Sequence, residues 1–206
     1  MSKTTHSLLL TLVLAYTSLN AQIPCNGEFV TSGDATNMGG CIELTPDETG
    51  QSGCAWLDTP IDFNEPFTHT MSANFGDDDN GADGICLVYQ PGGVGACGGQ
   101  GVGIGAQGIP NSFIVEFDTW DNGPGQGDIP ADHCAVSLDG NLANQIAGPV
   151  PLANIEDGAN HTITFEWDPA TMIYTITFDG VVLISAMYDI VNDVFNGNNL
   201  AYWGYT

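Results

Sequence analysis

Apolar and polar positions alternate along much of this chain with a period of two, and that period predicts strands. Phe113, Val115 and Phe117 recur at every second position and share one strand face, which leaves Glu116 and Asp118 together on the other. The same alternation puts Ile163, Phe165 and Trp167 on one face of a strand over 161–167. Met172, Tyr174, Ile176 and Phe178 follow in strict alternation. Asp179-Gly180 is a hairpin signal leading into a strand over 181–184. Residues 61–75 carry strand material at Phe67, Met71 and Phe75, residues 84–89 contain the apolar run Ile-Cys-Leu-Val-Tyr, and 200–206 read as a further strand.

Between these runs lie connections. Residues 27–58 are rich in Gly, Thr, Ser, Asp and Asn, which predicts loops around one or two strands, with a short apolar piece at 41–44. Residues 76–83 form an acidic turn, 92–108 a glycine-rich loop, and the stretch after Gly140 a polar, Pro-containing connection. The helical signal is confined to one turn near 187–195. With no internal repeat and no linker, the pattern predicts one all-β domain over 22–206, built of two packed antiparallel sheets.

Composition changes the picture at the N-terminus first. Residues 1–21 read as a secretory signal peptide: Lys3 near the start, an apolar run over 8–16, then small Ala21 at the expected cut. The run is too short to span a bilayer, so no membrane insertion is expected. Ile23-Pro24-Cys25 lacks the small residue of a lipoprotein site, so no lipid anchor is expected either. The predicted location is secreted, either extracellular or at the cell surface.

Charge changes it further. Lys3 is the single basic residue against 25 acidic ones, so a chain without its signal has neither Lys nor Arg. This excludes binding to nucleic-acid backbones and attraction to anionic membranes, both of which need cationic side chains. It also means that no carboxylate can be neutralised by Lys or Arg. Histidine, metal ions, hydrogen bonds or protonation must do it.

Six cysteines (25, 41, 54, 86, 97 and 134) in an exported chain predict disulfides rather than zinc, because no C-x-x-C pair occurs. A short loop closed by Cys41–Cys54 is the first expectation.

Glu116 and Asp118 are followed by Trp120, Asn122, Asp128 and His133, a mixed set of carboxylates, an amide and an imidazole. Calcium prefers several oxygen ligands, and imidazole with carboxylates suits manganese or zinc. The plain alternative is a solvated Asp/Asn turn. An acid on a strongly apolar strand, with no basic residue to neutralise it, favours metal.

Four stretches together resemble a known family. They are Asn80-Gly-Ala-Asp-Gly-Ile-Cys-Leu-Val-Tyr89; Gly101-Val-Gly-Ile-Gly105; Val115-Glu-Phe-Asp-Thr-Trp-Asp-Asn122 with Asp128 and His133; and 161–180 followed by Tyr202-Trp-Gly-Tyr-Thr206. In this order they resemble the L-type (legume-type) lectins, in the form found in exported bacterial proteins, from about Cys25 to Thr206. The resemblance implies an antiparallel jelly-roll β-sandwich of the concanavalin A-like kind. It implies a transition metal, manganese or a similar ion, at Glu116, Asp118, Asp128 and His133. It implies calcium at Asp118, Asn122, Asp128 and the backbone carbonyl of Trp120. It also implies a cis peptide at Ala82-Asp83 and a sugar site in which Asp83 accepts from sugar hydroxyls, Asn122 adds an amide, a backbone N–H near Gly101 donates and Trp120 stacks. Taken alone, Asp83 would read as a solvated turn acid and Trp120 as a core aromatic. Family members continue into a further loop and a closing strand, so a chain stopping at Thr206 is expected to lack its last strand.

The expected partners are glycans or polysaccharide, with oligomeric state left open and a homo-oligomer among the alternatives. Two other classes compete. Glycoside hydrolases of related sandwiches carry Glu-x-Asp-x-(x)-Glu, but Thr119, Trp120, Asp121 and Asn122 follow Asp118 and no second Glu appears, so no enzyme is expected. A structural adhesion module without sugar binding is the third class. No Gly-x-Ser-x-Gly elbow occurs, and Gly103-Ile-Gly-Ala-Gln-Gly108 matches a dinucleotide fingerprint only by letter, since a strand follows it. Asp77-Asp78-Asp79-Asn80 lacks the Glu that completes an EF-hand and reads as an acidic turn. His69 and His161 read as structural.

Overall fold

Alternation decides where each strand sends its side chains, and the computed structural model, which describes residues 29–39 and 41–206, places strands on nearly every alternating run. In chain order they are β1 (Phe29–Gly33), β2 (Thr36–Asn37), β3 (Ile42–Glu43), β4 (Gly53–Leu57), β5 (Ile61–Asp62), β6 (Phe67–Ala73) and β7 (Gly84–Gln90). They continue with β8 (Phe113–Asp118), β9 (His133–Leu138), β10 (Asn141–Pro151), β11 (His161–Asp168), β12 (Ile173–Phe178), β13 (Val181–Met187) and β14 (Leu200–Tyr205). One helical turn, α1 (Ile190–Asp193), falls where the sequence put it, with Asp189 accepting from the Asn192 N–H as its cap. The expected signal peptide over 1–21 and Cys25 lie outside the described residues.

The larger sheet runs β1-β4-β14-β7-β8-β9-β10, with β5 attached to β14, and the smaller runs β13-β12-β11-β6. Their facing sides interdigitate into one core: Tyr89, Phe113, Val115 and Phe117 from the larger sheet meet Phe165, Trp167, Tyr174 and Ile176 from the smaller. This is the expected antiparallel jelly-roll sandwich. The smaller sheet has a wet outer face, so β11 reads buried and exposed in turn.

The larger sheet is buried on both sides. A second apolar cluster of Cys54, Trp56, Cys86, Val88, Ile104, Ala106, Ile109 and Ile114 covers its outer face, roofed by the glycine-rich loop. Every residue of β8 and β9 is therefore buried, and Glu116 and Asp118 are enclosed, not solvated.

Three expectations need correction. Residues 27–58 hold β1 to β4 rather than one or two strands. Gly53–Leu57 is a central strand, paired to β1 and β14, whose short apolar run was masked by its polar surroundings. The connection after Gly140 is the eleven-residue edge strand β10. Its irregular register against β9 and its Pro residues are features that edge strands tolerate. The disulfide joins Cys54 to Cys97, while Cys41 is exposed and is not the partner of Cys54. The register of β4 buries Cys54 on the outer face, where the glycine-rich loop crosses, so the partner comes from that loop.

Candidate metal centre and ligand site

Strand register assembles the site. Asp118 stands opposite His133 on β9 and opposite Gly84 on β7, and Glu116 stands opposite Ala135 and Cys86. Residues directly opposite in antiparallel strands share a face, so one acid and one imidazole are held side by side at the sheet's end. Asp128 arrives from the β8–β9 loop, where its Oδ2 accepts the Asn122 N–H at 2.8 Å. Trp120 N–H donates to Asp118 Oδ1 at 2.8 Å, which turns the chain sharply out of β8. One ligand atom from each of Asp118, Asp128 and His133 lies within 4.8 Å of the other two.

The donor set fits a cation. His133 is 1% exposed, and its Nδ1 donates to the Ala131 carbonyl at 3.1 Å. In the neutral ring this leaves a lone pair on Nε2, which is buried and meets no hydrogen-bond partner in the protein. An unpartnered buried polar atom costs about 1–3 kcal/mol, so a nitrogen aimed beside two carboxylates is suited to a metal ion.

Glu116 adjoins this group on β8, outside the set whose atoms lie within 4.8 Å of one another. Its Oε1 accepts from the Gln145 side-chain amide at 2.9 Å. Burial pushes the Glu116 carboxyl up to about 8, with the charges of Asp118 and Asp128 adding to it against the Gln145 hydrogen bond. Burial likewise pushes Asp118 up to about 7, opposed by the Trp120 N–H and reinforced by Asp128, Asp83 and Asp132. The protein supplies no positive charge here, so these acids are held near neutrality by protons or by a cation.

The residues expected to face a ligand lie beside this cluster. Ala82-Asp83 is a cis peptide, as the resemblance implied. Asp83 is half-buried; burial raises its carboxyl, a hydrogen bond from Asn122 opposes this, and Asp128 adds to it. Gly84 follows at φ +132°, where an added Cβ would strike the Phe117 carbonyl, so only glycine fits between Asp83 and β7. Gly101 opens a 3-10 turn at φ +63°, and a Cβ there would lie 3.9 Å from Asp83 Oδ2. Trp120 is 42% exposed, and the core-aromatic alternative is thereby excluded.

Sequence reasoning missed three participants. Gln145 lies on β10, which read as a loop. Asp132 lends charge to Asp118 and anchors the Ile155 N–H at 2.7 Å. Glu156 is 4% exposed, and burial, joined by the charges of Asp132, Asp79 and Asp78, pushes it up to about 7. No periodic signal surrounds it. The acidic turn itself stays exposed over 76–80, as an acidic turn is expected to, and Asn154 donates to Asp79 at 2.6 Å. His69, bonded to Tyr89 OH at 2.9 Å, and His161, paired with Asp179, are structural.

A family model of the legume lectin β-barrel domain matches residues 20–206, and the chain belongs to that family. It is a binding protein rather than an enzyme. Among curated relatives it is 37% identical over 98 residues to the serine-rich adhesin for platelets of Staphylococcus aureus strains MRSA252 and MSSA476. That match takes in 45% of this chain but only 7% and 4% of those proteins' lengths. Among solved structures it resembles the lectin from Bauhinia forficata in complex with GalNAc, with a TM-score of 0.71, 18% identity, and coverage of 88% of this chain and 87% of that one. Lectin II from Ulex europaeus gives a TM-score of 0.68 at 19% identity, covering 89% and 85%. Peanut lectin gives 0.65 at 20%, covering 92% and 86%. At such identities the likeness establishes the fold. Among the described residues no helix is long and apolar enough to cross a membrane.

Proposed function

We propose that this chain is a metal-dependent carbohydrate-binding domain, exported and displayed outside the cell or on its surface. The observation that carries the reading is one connected group of side chains. The Asn122 side chain acts on the Asp83 carboxyl, the Asn122 N–H donates to Asp128 at 2.8 Å, and Asp128 shares the cluster with Asp118 and His133. The cation site and the residues beside it are thus one unit.

In this reading calcium is held by Asp118, Asn122, Asp128 and the Trp120 carbonyl, and manganese or another transition ion by Glu116, Asp118, Asp128 and His133. When bound, such ions supply the positive charge that lets the clustered carboxylates remain ionised together. The chain's own residues then recognise the sugar. Asp83 accepts from hydroxyls, Asn122 and the backbone at Gly101 donate, and the exposed ring of Trp120 offers an apolar face. Family membership, the sugar named with the Bauhinia lectin and the name of the staphylococcal relatives support this assignment.

A printed glycan array, read in calcium and again in excess EDTA, tests it. Binding that appears in calcium and disappears on chelation is expected. Binding unchanged by EDTA overturns the metal dependence. Absence of binding in both conditions overturns the sugar reading in favour of a structural adhesion module.

A further inference from the structure

The glycine-rich loop forms one wall beside Asp83, and Ile104 and Ala106 pack it into the apolar cluster on the outer face of the larger sheet. The loop's apex, Gly101–Gly103, is closed by the Ile104 N–H bonding the Gly101 carbonyl at 2.7 Å. Gly105 N–H bonds Gly99 at 2.9 Å, and Gly99 N–H bonds Gln107 at 2.9 Å, so 98–107 is a small self-bonded knob. Beyond the packing of Ile104 and Ala106, two contacts on β4 hold its base. Cys97 is bridged to Cys54 with a Cα–Cα separation of 5.9 Å, and Trp56 Nε1–H donates to the Ala96 carbonyl at 2.6 Å. Cys54 and Trp56 are both fully buried. The far side of the knob rests on Thr206, whose hydroxyl donates to the Ile104 carbonyl at 2.7 Å.

We infer that Cys54–Cys97 and Trp56 are positioning residues for ligand recognition, which hold the Gly101 wall at its distance from Asp83 without touching ligand or metal. The inference deepens the sugar-binding reading and rests on it for its affinity consequence. Its structural content stands separately. The metal cluster lies on β8, β9 and their loop, so releasing the knob leaves cation binding intact. A loop that must be ordered on binding lowers affinity by the fraction of time it is in place.

The full chain is compared with Cys54→Ala/Cys97→Ala and with Trp56→Phe, which keeps the bridge and most of the ring volume. Calcium titration monitors the folded cation site, amide exchange follows residues 98–105, and the same printed glycan array is read in calcium. The expected result is unchanged calcium affinity, exchange at 98–105 faster by more than about tenfold in the double variant, and array affinity weaker by about tenfold. Trp56→Phe is expected to show about threefold in each. Unaltered exchange at 98–105 overturns the positioning role whether or not the array responds. Faster exchange with undiminished glycan affinity overturns its bearing on recognition. A wild-type chain that binds no glycan refutes the sugar reading instead, and the exchange result then decides the positioning claim alone.

Discussion

Two histidines in this molecule each stand beside two aspartates, and they solve opposite problems. His161 faces carboxylates from both ring nitrogens: Nδ1 lies 2.8 Å from Asp179 Oδ2, and Nε2 makes a 3.3 Å ion-pair contact with Asp157 Oδ1. Burial opposes a charged ring there, but the hydrogen bond and charge of Asp179, with those of Asp157, outweigh it and hold His161 above its ordinary value. His133 gives Nδ1 to a backbone carbonyl and leaves Nε2 without a partner beside Asp118 and Asp128. The first histidine, when protonated, is placed to offset its own aspartates. The second, in its neutral form, presents a lone pair beside two carboxylates, which suits it to ligate rather than to neutralise.

The largest effect that could break this contrast is chelation. Removing metal should lower the melting temperature by on the order of 10 °C, the value for a ligand held at about a thousandfold its Kd in a chain of this size. His161→Gln should leave that shift intact. Equal melting with EDTA and with calcium would remove the distinction between the two histidines.

Next comes pH in the metal-free protein. Burial raises Glu116 to about 8 and Asp118 to about 7, both above their unfolded values. Between about pH 4 and 8 the fold therefore binds more protons than the unfolded chain, and stability falls as pH rises through that window. A drop in melting temperature of roughly 5 °C from pH 6 to 8.5 is expected in EDTA, and little drop in calcium. A flat metal-free profile contradicts the enclosed-acid account.

His161→Gln should cost about 1–2 kcal/mol, read by denaturant unfolding, with calcium affinity unchanged. Its linkage has two limits. The raised His161 contributes stability below its unfolded value, near 6.5, that is lost as pH rises through the folded value. Asp179, lowered first by its hydrogen bond from His161, contributes stability above its unfolded value that is lost as pH falls through the lowered one. The variant should be least different from wild type at both pH extremes.

The smallest effect on stability belongs to Trp120→Ala, about 1 kcal/mol or less because 42% of the residue is exposed. Glycan affinity should nonetheless fall about tenfold as the apolar face is removed. A large loss of stability instead would return Trp120 to a packing role.

Strand pattern was legible wherever it repeated, as in β8, β11 and β12. It failed at β4, where four apolar residues sit among polar ones, and at β10, whose outward residues are polar. A usable signal for β10 was present. Asp139-Gly140 has both residues at positive φ, like Asp179-Gly180, and closes the β9–β10 hairpin in the same manner. The bridge from Cys54 to Cys97 was not legible, because separation along the chain says nothing about which loop crosses which strand.

The sequence by itself determined that Glu116 and Asp118 face away from the core strip and that no Lys or Arg could neutralise them, since both follow from a period of two and a count of residue types. Only the tertiary structure decided that this second face is roofed and buried, that His133 meets Asp118 across a strand pair, and that His161 stands between the carboxylates of Asp157 and Asp179. Those are matters of register and of which loop covers which face, set by contacts between segments far apart in the chain.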